Sequence, residues 1–337
     1  MRVLTLNIVS SCNSRCVSCR YGDEGPGVPP EKRMTTETVV ARIAEARGLG
    51  AREILFSGGE PLLHPDIAVI LAGAKAARLR RHIHTNGLAL HRVGPADFEE
   101  MHVSLDAVDA KTYAEIRGVD GYEQVIRAIR RLREAAPQAV IRARTMIHRM
   151  NYRDALSIAE TAKANGFSSI SFLAADVYSA AFGRDGPSVP DEAASLRLTR
   201  EDVEEFSEKI TAWTARLSEL ETEKFLDGSG KLSEIARYYR ALSGDGDFEP
   251  QPCTAPRESV VIETKSAMRS CFFLPSVDVS GGGIPAFLRV RDSIARVDPM
   301  KNEICRRCVC RLPPVSLRSK IMNALRHAVS RREWSAP

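Results

Sequence analysis

Three cysteines, Cys12, Cys16 and Cys19, stand within eight residues, directly after an apolar run from Val3 to Val9. The run reads as a buried strand, so the cysteines occupy the loop that leaves it. Three thiolates spaced by gaps of three and two residues on one short loop can converge on one metal centre. A structural zinc ion takes four protein ligands. A [4Fe–4S] cube also has four corners. Three local thiolates on a cube leave one iron open, and an open iron can bind a group that reacts.

The whole chain bounds what this loop can belong to. It has 337 residues, with 44% hydrophobic and 27% charged residues and a net charge of +5. That is room for one large α/β barrel with an appended module. The charge permits an acidic partner, but no nucleic acid is expected. No transmembrane segment is expected, because no stretch approaches about 18 uninterrupted apolar residues. The N-terminus enters a strand without a signal-peptide pattern, and a cytoplasmic protein is the expectation. The remaining cysteines are Cys253, Cys271, Cys305, Cys308 and Cys310, with none between Cys19 and Cys253. Two tight groups of cysteines read as two metal sites rather than as a disulfide framework.

Strand and helix patterns alternate six times in about 175 residues. Strands are read at 3–9, 54–56, 82–84, 103–106, 140–147 and 169–173. Helices are read over about 35–49, 66–78, 122–135 and 151–164. This alternation implies a parallel sheet with right-handed crossovers. The polar motifs all fall at the C-terminal ends of strands, the face where barrels carry their chemistry. Ser57-Gly58-Gly59-Glu60-Pro61 follows the second strand and Thr85-Asn86-Gly87 the third. Glycines allow close backbone approach to a ligand, and a carboxylate pairs with an ammonium. In Ser104-Leu105-Asp106 a hydroxyl and a carboxylate at i and i+2 point the same way. His82 and His84 share one strand face and read as structural barrel residues. Arg142 and Arg144 share a face of the fifth strand and need partners, because buried unpaired charge is costly.

Taken together, Cys-x3-Cys-x2-Cys, Gly-Gly-Glu-Pro, Thr-Asn-Gly, Ser-Leu-Asp and the Tyr113–Gly118 stretch resemble the radical S-adenosylmethionine (SAM) enzymes. The resemblance implies a partial (β/α)6 TIM-like barrel of α/β class, with a [4Fe–4S] cluster on Cys12, Cys16 and Cys19. It implies a SAM site formed by Gly58, Gly59, Glu60, Pro61, Thr85 and Asn86. Ser104 and Asp106 would meet the ribose and Arg144 the SAM carboxylate. Ser18 stands where the family often has an aromatic residue over the adenine, and Tyr21 is the nearby substitute. Asp176 and Tyr178, just beyond the sixth strand, are candidates to touch substrate.

Beyond the barrel, a Pro-bearing linker leads to a helix over about 199–220, opened by a Thr199/Asp202 cap, and a second over about 232–242. The second cysteine group surrounds a hairpin read from Val260–Ile262 and Met268–Phe273, with Cys271 in its second strand. Cys253, Cys271, Cys305 and Cys308 resemble the ligands of a SPASM/Twitch module with one auxiliary [4Fe–4S] cluster. Zinc is the alternative occupant of a closed four-cysteine site. Thr264-Lys265-Ser266 lacks the glycine usual in that turn. Cys310 is spare: an alternative ligand, a hydrogen donor or a buried thiol. The expected divisions are a barrel over 1–185, linker and helices over 186–249, the C-terminal auxiliary module (a β-hairpin plus helix) over 250–312, and a basic amphipathic helix over 313–337.

The resemblance implies reductive cleavage of SAM to methionine and a 5′-deoxyadenosyl radical, with flavodoxin or ferredoxin as electron donor. A closed auxiliary cluster suggests an electron exit, hence oxidative modification of a small molecule or peptide. Starting at the barrel strand tilts the expectation toward a small molecule. Redox-neutral epimerisation with Cys310 as hydrogen donor is the rival chemistry. A non-catalytic iron–sulfur or zinc scaffold is the rival class.

Overall fold

The computed structural model describes residues 1–22, 28–184, 195–226, 228, 230–249, 252–277, 279, 282–294, 301–308 and 310. The amphipathic helix expected over 313–337 lies outside the described residues, as does most of the linker. None of the described helices is long and apolar enough to cross a membrane.

Strand β1 (Val3–Val9) sets the pattern. Leu4, Leu6 and Ile8 are fully buried on one side; Thr5 and Asn7 alternate with them toward the other. Around it run β2 (Glu53–Gly58), β3 (Arg80–Thr85), β4 (Glu100–Ser104), β5 (Ile141–Ile147) and β6 (Ser169–Ala174). Each pairs in parallel with the next in sequence order. Along the strands one parity is buried and mainly apolar, such as Ile54 and Phe56, Met101 and Val103, or Ile141 and Ala143, with Arg81 and Thr85 of β3 and Thr145 of β5 as buried polar members. These face the covering helices. The other parity is mostly polar, ranges from buried (Thr5, Asn7) to part-buried, and lines the lumen of a partial barrel.

The covering helices are α1 (Thr36–Gly48), α2 (Ile67–Ala76), α3 (Ala110–Arg117), α4 (Tyr122–Ala135) and α5 (Ala155–Ala164). Local chemistry starts and stops them. Thr35 caps α1 by accepting from the Thr38 amide, and Asp109 caps α3 in the same way. Gly118 ends α3 with φ +63, a left-handed value that glycine adopts at little cost. Val125, Ile126 and Ile129 form the buried stripe of α4.

Two helices follow where one was expected: α6 (Arg200–Ala212) and α7 (Thr214–Thr222) meet at Trp213. The Thr199/Asp202 capping box is present in full. Helix α8 (Lys231–Leu242) closes the last barrel strands. Its Tyr239 hydroxyl donates to the Ile147 carbonyl at 2.6 Å and accepts from the Ala175 amide at 3.0 Å.

After the short α9 (Ala255–Glu258), the hairpin of β7 (Ser259–Ile262) and β8 (Met268–Arg269) joins the main sheet. The sheet order is β6-β5-β4-β3-β2-β1-β7-β8. Strand β7 lies parallel to β1 from Val3↔Ser259 to Leu6↔Ile262, and β8 is antiparallel to β7. The turn needs no glycine because Ser266 takes the left-handed conformation, φ +65. Its amide donates to the Glu263 carbonyl at 2.7 Å. Glu263 accepts from Asn7 Nδ2 at 2.8 Å and Thr264 Oγ1 donates to the Asn7 carbonyl, tying the turn to β1. Cys271 stands two residues past β8, not within the second strand as the sequence suggested. Helices α10 (Gly283–Ile294) and α11 (Glu303–Arg306) complete the described chain; the Ile284 amide is held by Glu45 of α1 at 3.0 Å.

Because β7 is a strand of the barrel sheet, Ile262→Ala is expected to destabilise the whole fold. Ile262 is fully buried, so the expected cost is about 2–5 kcal/mol. Far-UV dichroism and a probe on the hairpin should report one shared denaturant midpoint, shifted together.

Candidate active site

The cysteine loop is held in place by main-chain contacts from two glycine-bearing turns. The Gly59 amide donates to the Val9 carbonyl at 2.7 Å and the Glu60 amide to Ser11 at 2.9 Å. A Cβ on Gly59 would fall 2.2 Å from the Ser11 carbonyl oxygen, and one on Gly58 2.2 Å from that of Val9. These glycines therefore serve the approach of one backbone to another. On the other side the amides of Arg15 and Val17 donate to the carbonyls of Arg117 and Ile116 at the end of α3. A Cβ on Gly118 would lie 2.3 Å from the Arg15 carbonyl oxygen.

Side chains complete the frame. Asn86 Nδ2 reaches Asn13 Oδ1 at 2.7 Å, Ser14 Oγ at 3.1 Å and the Cys12 sulfur at 3.6 Å. Glu60 is fully buried. It accepts from the amides of Leu62 and Asn86, at 3.0 and 2.7 Å, and from the Thr85 hydroxyl at 2.8 Å. Glu60 and Thr85, expected on SAM, thus point into the protein and lock β2 to β3. Burial pushes the Glu60 carboxyl up to about 7, against those three hydrogen bonds. Asp106, expected at a ribose, is likewise committed. It accepts from Arg117 Nη1 at 2.9 Å and from the Met146 amide at 2.8 Å, and it is 3% exposed. Ser104 ends β4 on the lumen side, level with Arg144.

The electrostatics fit a group that draws thiolates. Burial pushes Cys12 up to about 11 and Cys19 up to about 12, and raises Cys16. Arg117 works against burial at all three sulfurs, and its Nε has no hydrogen-bond partner among the described residues. A buried cation with a spare donor is what three converging thiolates need. Among the described residues no three His, Cys, Asp or Glu groups are gathered as a single metal ion requires.

The lumen below is polar. His102 and Arg142 both meet Glu100, at 2.9 and 2.7 Å, and His82 lies 3.5 Å from Glu53. Burial would raise the Glu100 carboxyl, but His102 and Arg142 outweigh it and bring it to about 2. His84 stacks edge-to-face with His102 at 4.7 Å. Arg144 meets His84 Nε2 at 3.4 Å and the Cys310 sulfur at 3.5 Å. The two arginines of β5 therefore separate: Arg142 is neutralised inside the barrel, and Arg144 reaches the second cysteine group.

That group is a cluster of five. Burial first, then the proximity of neighbouring sulfurs, pushes Cys271 up to about 12 and Cys305 up to about 11, and raises Cys308. Cys253 and Cys310 are among those neighbours. The segment 176–184 joins the two groups. Phe182 takes a left-handed φ of +59. Its carbonyl accepts from the Arg20 amide at 2.9 Å and faces the Cys19 sulfur at 3.6 Å. Its ring packs on Phe272 and Phe273, directly after Cys271. Asp176, expected to touch substrate, instead holds Arg184 at 2.5 Å and the Ser179 hydroxyl. Tyr178 lies under the Arg307 guanidinium at 4.0 Å. Both side chains brace the segment. Sequence reasoning gave no role to Arg117, Phe182 or Arg184. Arg117 lay in a recognised stretch and only its burial marks it; the other two belong to an unpatterned loop.

Residues 6–162 match the model of the radical SAM superfamily. GTP 3′,8-cyclase of Chlorobaculum tepidum is 34% identical over 148 residues, 42% of this chain and 44% of that protein. AdoMet-dependent heme synthase of Methanosarcina barkeri is 32% identical over 140 residues, 40% of each. The chain thus matches less than half the length of these relatives. The fold is shared with Streptococcus suis SuiB bound to precursor peptide SuiA (TM-score 0.59, 15% identity, 95% of this chain and 72% of SuiB). It is also shared with anSMEcpe with bound AdoMet (TM-score 0.60, 14% identity, 91% and 88%).

Two expectations follow from the frame. Gly59→Ala should lower the unfolding free energy by about 1–3 kcal/mol through overpacking, read as a fall in the denaturant midpoint. Gly48→Ala, at the helical end of α1 where a Cβ meets nothing within 4 Å, should leave it unchanged or raise it slightly. Glu60 holds its proton to about 7 in the fold, against an ordinary value of 4.5. Between those values the folded state binds more protons than the unfolded chain, so stability falls as pH rises through that window. Urea midpoints at pH 5 and pH 8 measure this, and Glu60→Gln should flatten the slope.

Proposed function

Because residues 6–162 match the model of the radical SAM superfamily, we propose that the chain is a radical SAM enzyme that oxidatively modifies a small molecule or peptide. Cys12, Cys16 and Cys19 hold the [4Fe–4S] cluster, and Arg117 offsets the charge of their thiolates. Gly58, Gly59 and Pro61 shape the ledge beside it. Glu60 and Thr85 brace that ledge from within, and Asn86 fixes the cysteine loop. Ser104, at the open end of β4, is the hydroxyl left free to meet the nucleoside. When bound, the reduced cluster supplies the electron that splits SAM into methionine and a 5′-deoxyadenosyl radical, with flavodoxin or ferredoxin as the donor. The chain's own part is to position the reactants and exclude water.

Cys253, Cys271, Cys305 and Cys308 hold a second [4Fe–4S] cluster. Four thiolates close a cube, so this site handles electrons rather than substrate. The observation that carries the reading is the 3.5 Å contact between Arg144 of β5 and Cys310. It supports placing the second cysteine group at the mouth of the barrel, where a substrate radical's electron would leave. With both groups bound, the radical would take a hydrogen atom from substrate, the second cluster would accept one electron and solvent one proton, which together would make a two-electron oxidation. The same contact favours a second reading, in which the Cys310 thiol would return a hydrogen atom to give an epimer, and the thiyl radical left behind would take back one electron, through the neighbouring second site, and one proton. The curated relatives carry the names of a cyclase and a heme synthase, so the reaction type rests on the second site.

Anaerobically reconstituted protein should hold about eight irons per chain, falling to about four when Cys12, Cys16 and Cys19 are changed to Ala. Formation of 5′-deoxyadenosine from SAM and dithionite should vanish in that variant. About four irons with one zinc in the wild type would remove the oxidative reading. No iron and no SAM cleavage would leave a scaffold.

A further inference from the structure

Phe182 touches both cysteine groups. It lies in the 176–184 segment that follows β6. Its carbonyl accepts from the Arg20 amide at 2.9 Å and faces the Cys19 sulfur at 3.6 Å. Its ring packs edge-to-face on Phe272 at 5.2 Å and on Phe273 at 6.2 Å, and those two residues directly follow Cys271. The backbone takes a left-handed φ of +59 to present both ends in this way. A bulky residue seldom adopts that conformation, and it persists where the surroundings hold it.

They hold it from both sides. Arg184 pairs with Asp176 at 2.5 Å, donates to the Ser18 carbonyl at 3.3 Å and lies over the Phe182 ring at 5.5 Å. Arg269 of β8 donates to the Ala180 carbonyl at 3.3 Å. Gly183 is also left-handed, and a Cβ there would lie 3.2 Å from Tyr21. The segment is thus pinned to the first cysteine loop at Ser18, Cys19 and Arg20, and to the hairpin at Arg269. Packed and bonded matter carries an electron far better than an open gap of the same width. Phe182 is one covalent piece with a sulfur at one end and the Phe272 ring at the other, and Phe272 is bonded through the chain to Cys271.

We propose that Phe182 is the bridge by which an electron passes from the second cysteine site to the first. This rests on the reading that both sites hold [4Fe–4S] clusters, and it adds a destination for the electron taken from substrate. The group on Cys271 is oxidised by one electron and the group on Cys12, Cys16 and Cys19 is reduced by one. No bond is made or broken and no proton moves. The electron that substrate gives up then serves the next SAM cleavage, and the flavodoxin or ferredoxin is needed to start the cycle rather than to feed each turn. Phe182 is a positioning residue in this scheme, because it acts through Cys19 and Phe272.

The anaerobically reconstituted chain is reduced at both sites with dithionite, freed of excess reductant by gel filtration and mixed with SAM. Freeze-quench EPR follows the reduced second site, whose signal is assigned in the variant carrying Cys12→Ala, Cys16→Ala and Cys19→Ala. The 5′-deoxyadenosine formed is counted per chain. The second-site signal should decay once SAM is present, and the count should rise toward about two, one for each stored electron. The decay rate should not depend on protein concentration. Phe182→Leu should keep the iron content and the first equivalent, and slow the decay and the second equivalent by about tenfold or more. Phe182→Tyr, which keeps the ring, should behave as wild type. Phe272→Leu, which removes the other ring and leaves the carbonyl on Cys19, should behave as Phe182→Leu. A second-site signal that persists with SAM in the wild type overturns the proposal, whatever the variants do. So does a decay that ignores both leucine variants, a decay that scales with protein concentration, or zinc in the second site. Each of those outcomes leaves the first equivalent in place. No 5′-deoxyadenosine even with dithionite in excess would sink the radical SAM reading itself.

Discussion

The cysteine loop stands on main-chain hydrogen bonds between backbones that only glycine lets meet. Gly58 and Gly59 bring the turn after β2 against residues 9–11, and Gly118 brings the end of α3 against residue 15. The loop therefore depends on two other junctions, the turn after β2 and the turn between α3 and α4. Its three sulfurs are placed by the barrel as a whole, not by their own spacing.

Much of this was legible in the chain, and the limits have physical causes. Strand β1, the six-fold alternation and the position of each motif at a strand's end follow from periodicity, which is a local property. The spacing predicts a four-ligand site with Cys310 spare; in the fold the charges of Cys253, Cys271, Cys305, Cys308 and Cys310 act on one another. The roles of Glu60 and Asp106 were not legible. A carboxylate at a strand's end looks the same in sequence whether it faces a ligand or a neighbouring amide, and both of these face inward. Asp176 misled for the same reason: its partner Arg184 is eight residues on, in a loop without a pattern. The join of β7 to β1 escaped because edge pairing between segments some 250 residues apart leaves no mark in either.

The lumen shows how one strand face can carry two opposed tasks. Arg142 and Arg144 are two residues apart and point the same way, yet Glu100 lies within reach of only the first. With His102 it makes a compact, nearly neutral floor that costs little to bury. The absence of a matching acid one layer up, among the described residues, leaves positive potential at the mouth. Low-dielectric walls strengthen such a potential and favour an anionic visitor.

The pairing of β7 with β1 has a geometric consequence. Both cysteine groups are anchored to neighbours of a single strand, one at its C-terminal end and the other beyond the hairpin beside it. A strand pair can change register only in whole residues, and an odd slip would turn every buried side chain outward. The smallest permissible slide is two residues, about 7 Å. The separation between the two sulfur clusters is therefore stepped rather than continuous. Thermal breathing of the barrel leaves that gap nearly fixed, and any tuning of how fast charge crosses it must come from the loops.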